Sequence, residues 1–353
     1  MAKKEKNTAE EFDILKWELK EGTFRRLYLF HGQEHYLRDH YLKMLRDKLL
    51  SGPAQDFNDH RFTQENMDLE SLTDAVEALP MMAQYSYVQV DDCDLSRLND
   101  GDTAQLVKVL SDIPDYCTVV FVFDTVKLKT NERQKELKKI LSAAFTVEFA
   151  CQGQRELTTW IRRRFRSHGK DMDDRLCEHL TFLTGGTMSS LAAEIDKLAA
   201  FSSGDVITPQ DVASVVVPVL DAQVFDLTDA IAGGDYETAL VKLRTLLQMQ
   251  EEPIAILGAI GGQLRRLMYA RTAMNAGKGE SGVAELIKLS TGRAPHPYVL
   301  QKSITAARRL PEHFFSAAMR LCIETDRVLK GYGDAQRALE LLILTLAQEV
   351  RRG

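Results

Sequence analysis

Gly32-Gln33-Glu34-His35-Tyr36-Leu37-Arg38-Asp39 follows a short apolar run and opens a helical pattern, the place where a nucleotide-binding α/β domain carries its phosphate loop. A working loop needs glycines so that several backbone N–H groups face the phosphates, a Lys for the β- and γ-phosphates, and a Ser or Thr hydroxyl for magnesium. This segment has a single glycine and no Lys-Ser/Thr pair, and Glu34 would set a negative charge beside any phosphate. Gly32, Gln33 and Glu34 therefore read as a degenerate nucleotide loop, a structural turn. Val88-Gln89-Val90-Asp91-Asp92 has the form of an apolar strand whose acidic end holds magnesium in an ATPase. Without a phosphate loop the ion lacks its main ligand, so Asp91 and Asp92 read as a strand end and a helix N-cap. The histidines show no HExxH spacing and no GxSxG elbow occurs, so no catalytic residue and no metal ligand is assigned.

Two other segments have binding chemistry. In Leu79-Pro80-Met81-Met82-Ala83-Gln84 the proline disfavours α geometry at Leu79, which ends the preceding helix there. Met81 and Met82 then lie beyond the buried stripe of Leu69, Leu72, Val76 and Leu79. Spacing leaves two readings: both methionines plug the gap between helix and sheet, or at least one stands exposed as an adaptable protein contact. In Trp160-Ile161-Arg162-Arg163-Arg164-Phe165-Arg166-Ser167-His168-Gly169-Lys170, the cations Arg162, Arg166 and Lys170 recur at i, i+4. On one helical face they could follow a phosphate backbone, or they form a solvated surface. Lys127, Lys129, Lys135, Lys138 and Lys139 make a second basic run with the same two readings.

The elements that must position these residues alternate in the first half of the chain. Apolar runs at 26–31, 57–62, 85–90, 118–123 and 145–149 read as strands, and 34–50 and 68–79 read as helices. Strands separated by helices imply a mostly parallel sheet covered on both faces. From about Gln154 the strand signals stop. Helices are expected at 156–167, 175–183 and 188–201, with Thr208-Pro209 as the N-cap and N1 of a short one. Longer helices are expected at 238–248, 253–276, 312–332 and 334–351. The fold class is α/β followed by all-α.

Composition bounds the function. The chain has 353 residues, 45 Lys+Arg against 51 Asp+Glu, and a net charge of -6, which argues against a protein that coats nucleic acid by bulk charge. Cys93, Cys117, Cys151, Cys177 and Cys322 are scattered, with no CxxC pair, and read as reduced thiols. No stretch reaches the ~20 apolar residues that span a bilayer, and the N-terminal residues lack the apolar core of a signal peptide. A cytoplasmic protein is expected.

Taken in order, Tyr28-Leu29-Phe30-His31-Gly32-Gln33-Glu34, Asp56-Phe57-Asn58, Leu79-Pro80-Met81-Met82, Gly185-Gly186-Thr187-Met188, Glu194-Ile195-Asp196-Lys197-Leu198 and Phe225-Asp226-Leu227-Thr228-Asp229-Ala230-Ile231 form a series. Gln263-Leu264-Arg265-Arg266-Leu267-Met268, His296-Pro297-Tyr298 and Ala338-Leu339-Glu340-Leu341-Leu342 continue it. The series resembles the delta subunits of bacterial DNA polymerase III clamp loaders, over nearly the whole chain. The resemblance implies an AAA+-like parallel-sheet domain with a clamp-binding element at 1–152, a small helical lid at 153–218 and a helical collar for oligomerisation at 219–353. It implies a subunit that binds the sliding clamp (the beta subunit) and opens it for loading onto primed DNA during replication, without hydrolysing ATP and with no cofactor of its own. As part of the polymerase holoenzyme it would be classed with DNA-directed DNA polymerase. The implied partners are the clamp, the gamma/tau motor subunits, delta-prime, and primed DNA in the assembled complex, with no membrane. Carried over by position, the clamp-binding residues are Leu79, Pro80, Met81 and Met82, and in place of the pair Met81 and Met82 relatives often carry Phe or Leu. The competing readings are an ATP-binding AAA+ protein and an autonomous DNA-binding protein that uses Arg162, Arg166 and Lys170.

Overall fold

In a parallel sheet covered on both faces, successive side chains of each strand must feed two different cores. The computed structural model, which describes all residues except 1, 51–53, 127, 132, 292–294, 296, 332 and 353 and the side chains from residue 10 onward, has such a sheet. Its chain forms two compact units, Met1–Gln152 and Gly153–Gly353.

The first unit runs α1 (Ala2–Glu21), β1 (Leu27–His31), α2 (His35–Leu49), β2 (Asp59–Thr63), α3 (Leu69–Glu77), β3 (Ser86–Asp91), α4 (Asp100–Ser111), β4 (Cys117–Phe123), α5 (Lys135–Ala143) and β5 (Phe145–Glu148). The strands are parallel in the order β2-β3-β4-β1-β5, with β1 inside the sheet. Alternation divides the apolar residues cleanly. Leu29, Val88, Val90, Val119, Phe121 and Phe123 pack with α3, α4 and α5 on one face. Tyr28, Phe30, Tyr87, Val120, Val122 and Val147 meet α1 and α2 on the other. Every residue of β4 is buried, as a central parallel strand requires.

Helix α1 has no counterpart among the expected elements. Its Leu15 and Leu19 are buried, and the Phe12 ring stands 5.0 Å from Tyr41 and 5.7 Å from Phe149. At its end Glu18 accepts from Arg25, whose guanidinium lies 4.0 Å over the Phe145 ring. Helix α3 also differs from expectation. It stops at Glu77, Ala78 is already extended, and Leu79 is turned outward at 78% exposure instead of completing the buried stripe. Pro80 forces Leu79 out of α geometry, and the unwinding spreads one residue further back.

The second unit is helical: α6 (Gln154–Ser167), α7 (Asp174–Leu183), α8 (Met188–Phe201), α9 (Pro209–Val215), α10 (Leu220–Ala232), α11 (Tyr236–Gln248), α12 (Pro253–Asn275), α13 (Glu280–Thr291), α14 (Pro297–Arg309), α15 (Glu312–Leu329) and α16 (Ala335–Arg351). Thr208 and Asp211 form a reciprocal capping box before α9. Leu227, Ile260, Phe314 and Ile343 lie in one core that joins α10, α12, α15 and α16. Within this unit Phe182 of α7 meets Phe225 of α10 at 5.3 Å and Tyr298 of α14 at 5.1 Å. Leu15→Ala removes a fully buried side chain from the α1 contact with the sheet, and is expected to cost about 2–5 kcal/mol in urea denaturation.

Candidate protein-docking site

The residues after α3 form a short tip whose backbone is hydrogen-bonded and whose Leu79, Met81 and Met82 side chains are exposed. Tyr116 donates its hydroxyl to the Glu77 carbonyl at 2.9 Å, closing the last turn of the helix. The buried side chain of Asn58, just before β2, then takes hold of Met81 in both directions: its Nδ2 donates to the Met81 carbonyl at 2.9 Å and its Oδ1 accepts from the Met81 N–H at 2.6 Å. The same Nδ2 also donates to the Ala54 carbonyl at 3.0 Å. One residue on, Met82 sits at φ +49, a left-handed conformation that a non-glycine residue adopts only when its surroundings impose it. The outcome is exposure: Met81 is 52% and Met82 85% accessible. The reading in which both methionines plug the gap between helix and sheet is excluded. Asn58 belongs to the Asp56-Phe57-Asn58 segment of the motif series and to the expected strand 57–62, but no latch role follows from either, because its partner Met81 is 23 residues away in sequence.

The degenerate nucleotide loop is sealed from within. Gly32 has φ +129, and a Cβ there would stand 2.2 Å from the Phe149 carbonyl oxygen, so the turn is pressed onto the end of β5. Phe149 donates to the His31 carbonyl at 2.7 Å and accepts from the Glu34 N–H at 2.9 Å, which commits an amide that a phosphate loop would offer to its ligand. Glu34 is buried at the N-terminus of α2; burial raises its carboxyl, against the pull of the Tyr36 amide and His35. Arg38, also buried, pairs with Asp124 at 3.3 Å and Asp39 at 3.1 Å, and His35 reaches Asp124 at 3.1 Å. Charges at this strand end answer one another.

Asp91 and Asp92 part company. Asp91 ends β3 and binds Arg61 at 3.1 Å and Gln89 at 2.6 Å. Asp92 caps no helix. Its carboxylate accepts the N–H groups of Asp124 (2.8 Å), Thr125 and Val126 (both 3.0 Å) and the Thr125 hydroxyl (2.5 Å), closing the loop after β4. Burial pushes this carboxyl up, but the Thr125 hydroxyl and the amides outweigh it and hold it at about 2. Among the described residues no group of three or more His, Cys, Asp or Glu could hold a metal ion.

The first basic run is largely occupied. Arg162 binds Asp171 and Asp174, both at 3.0 Å, and Arg166 lies 3.8 Å from Asp171. Lys170 is not on the helical face expected for it. Helix α6 ends at Ser167, and Gly169 at φ +71 reverses the chain so that Gly169 donates to Arg166 and Lys170 to Phe165, a Schellman closure. The Lys170 ammonium then donates to the Ser202 and Gly204 carbonyls, both at 2.7 Å, beyond the end of α8. Lys129, Lys135, Lys138 and Lys139 of the second run are exposed; Lys127, like His296 of the motif series, lies outside the described residues.

Comparison with known proteins covers both units. The family model described as DNA polymerase III, delta subunit matches residues 28–150, and that for its C-terminal domain matches residues 221–346. The chain is 27% identical over 346 residues to DNA polymerase III subunit delta of Bacillus subtilis, covering 95% of this chain and 96% of that one. It is 24% identical over 245 residues to the probable DNA polymerase III subunit delta of Aquifex aeolicus, covering 69% of each. The solved structure of the Bacillus subtilis DNA clamp loader delta protein superposes with a TM-score of 0.60 at 25% identity, over 96% of this chain and 99% of that one.

The Asp92 carboxyl lies lower in the folded state than its ordinary 3.8, so its contribution to stability is present above about pH 4 and fades as pH falls toward about 2. Melting temperatures of wild type and Asp92→Asn are therefore expected to differ most above pH 4 and to converge toward pH 2.

Proposed function

The chain belongs to the family of DNA polymerase III delta subunits, and on that premise we propose that this clamp-loader subunit docks on the ring-shaped sliding clamp through Leu79, Pro80, Met81 and Met82 and biases the ring toward its open form. The observation that carries this reading is the tip itself, where exposed apolar side chains stand on a backbone locked by Asn58. A rigid tip loses little freedom on docking, and each methionine buried in a partner contributes ~1.5–3 kcal/mol. A protein that binds an open ring more tightly than a closed one shifts the population toward open without chemistry of its own. Catalytic groups are then unnecessary here.

ATP hydrolysis falls to the gamma/tau motor subunits, whose nucleotide state governs access to the tip, and delta-prime completes the assembly. The sealed turn at Gly32 and the buried Glu34 support this division of labour, because both oppose a bound phosphate. Residues 153–218 act as the lid and 219–353 as the collar that joins the other subunits. In support of the collar, Val241, Val328, Leu341 and Leu344 are exposed apolar residues on α11, α15 and α16. Contact with primed DNA belongs to the assembled complex in the cytoplasm. At Arg162, Arg166 and Lys170 it would compete with the internal partners already described, so an autonomous duplex-binding role is the weaker reading.

Two measurements test this. In titrations of the sliding clamp with the isolated chain, the double variant Met81→Ala, Met82→Ala is expected to lose at least ~2 kcal/mol of binding. Met82→Gly, which relieves the left-handed backbone, is expected to keep its melting temperature and still bind the clamp more weakly. Unchanged affinity in both variants sinks the docking assignment. Nucleotide titration of the isolated chain is expected to show no micromolar ATP binding, and such binding would restore the ATPase reading.

A further inference from the structure

Asn58 latches two segments together, and the second of them also carries an exposed apolar side chain. The short 3-10 turn Gln55–Phe57 immediately precedes it, and Phe57 is 67% accessible. Isolated surface hydrophobes are ordinary, whereas contiguous ones mark interaction surfaces. Proximity of Phe57 to the tip is set by covalent geometry. Phe57 is the chain neighbour of Asn58, whose side-chain oxygen is 2.6 Å from the Met81 nitrogen, so the Phe57 Cα lies within about 10 Å of the Met81 backbone. The turn is itself held in place: Phe57 donates to the Ala54 carbonyl at 3.2 Å, Asn58 to the Gln55 carbonyl at 3.1 Å, and Tyr87 of β3 to the Asn58 carbonyl at 2.8 Å. Phe57 therefore stands on a support as firm as that of the methionines.

We infer that Phe57 is a second contact point for the same partner, so that the docking surface comprises the tip Leu79–Met82 and the Phe57 ring on a single support joined by Asn58. This inference rests on the proposed docking to the clamp and adds a requirement to it: the partner must present apolar surface beside the pocket that receives the methionines. The occupant is the clamp and not a second copy of this chain, because the support that fixes Phe57 is the one that fixes the tip.

The experiment titrates the sliding clamp with the full chain carrying Phe57→Ala, Phe57→Leu, or Met81→Ala with Met82→Ala, and records melting temperature and self-association for each. Phe57→Ala is expected to weaken clamp binding about tenfold, with melting temperature unchanged because the ring is exposed, and Phe57→Leu to recover most of the loss. Phe57→Ala binding within about twofold of wild type, while the methionine variant loses affinity, overturns the role of Phe57 and leaves the tip assignment standing. Loss in neither variant overturns both. Self-association that Phe57→Ala abolishes at unchanged clamp affinity would assign the ring to a second copy of the chain, and this also overturns the inference.

Discussion

A parallel strand buried on both faces brings its polar backbone to an abrupt end at its carboxyl terminus, where the chain must turn. Every N–H and C=O there needs a partner. In this protein the partners at the ends of β1, β3 and β4 come from the chain itself. Phe149 closes over the turn after β1, Asp92 gathers the amides after β4, and Arg38 and His35 answer Asp124. In an open α/β sheet this edge is where ligands are ordinarily bound. The exposed apolar groups of the tip after α3 stand at the opposite edge of the sheet, where Asn58 precedes β2 and Tyr116 precedes β4.

The strands are legible in sequence because a central parallel sheet needs runs such as Thr118–Phe123, which no solvent-facing element tolerates. Helix α1 escapes because its apolar residues are sparse and its charges dense, although Phe12, Leu15 and Leu19 do fall at helical spacing. The stripe ending at Leu79 misleads for a different reason. Periodicity continues for two residues after Glu77, where the backbone has ceased to be helical, and only Pro80 marks the difference. Lys170 is a parallel case: an i, i+4 count passes through Gly169, where the helix has already closed.

The candidate site was half legible. Met81 and Met82 stand out as residues left over after the core is filled, but spacing cannot tell a plug from a probe. Exposure rules out the plug, and the backbone at Met81 is held by Asn58, a residue far from the tip in sequence with no periodic role. The turn at Gly32 reads as structural from the phosphate-binding residues it lacks. Its internal seal was not legible, because the close approach of Phe149 to Gly32 is a property of strand order and leaves no local mark.

That seal bears on the history open to such a chain. A loop that had merely lost its lysine could regain nucleotide binding by one substitution. Here the Glu34 amide is committed to β5, the Asp92 carboxylate holds the loop after β4, and the Arg38 guanidinium fills the adjoining space. Loss of Asp92 would leave the N–H groups of Asp124, Thr125 and Val126 without their acceptor, and loss of Asp124 would leave the buried Arg38 guanidinium with Asp39 alone. Changing these groups one at a time costs contacts before a ligand is gained, whereas residues 79–82 stand at the amino-terminal edge of the sheet and can vary without touching this closure.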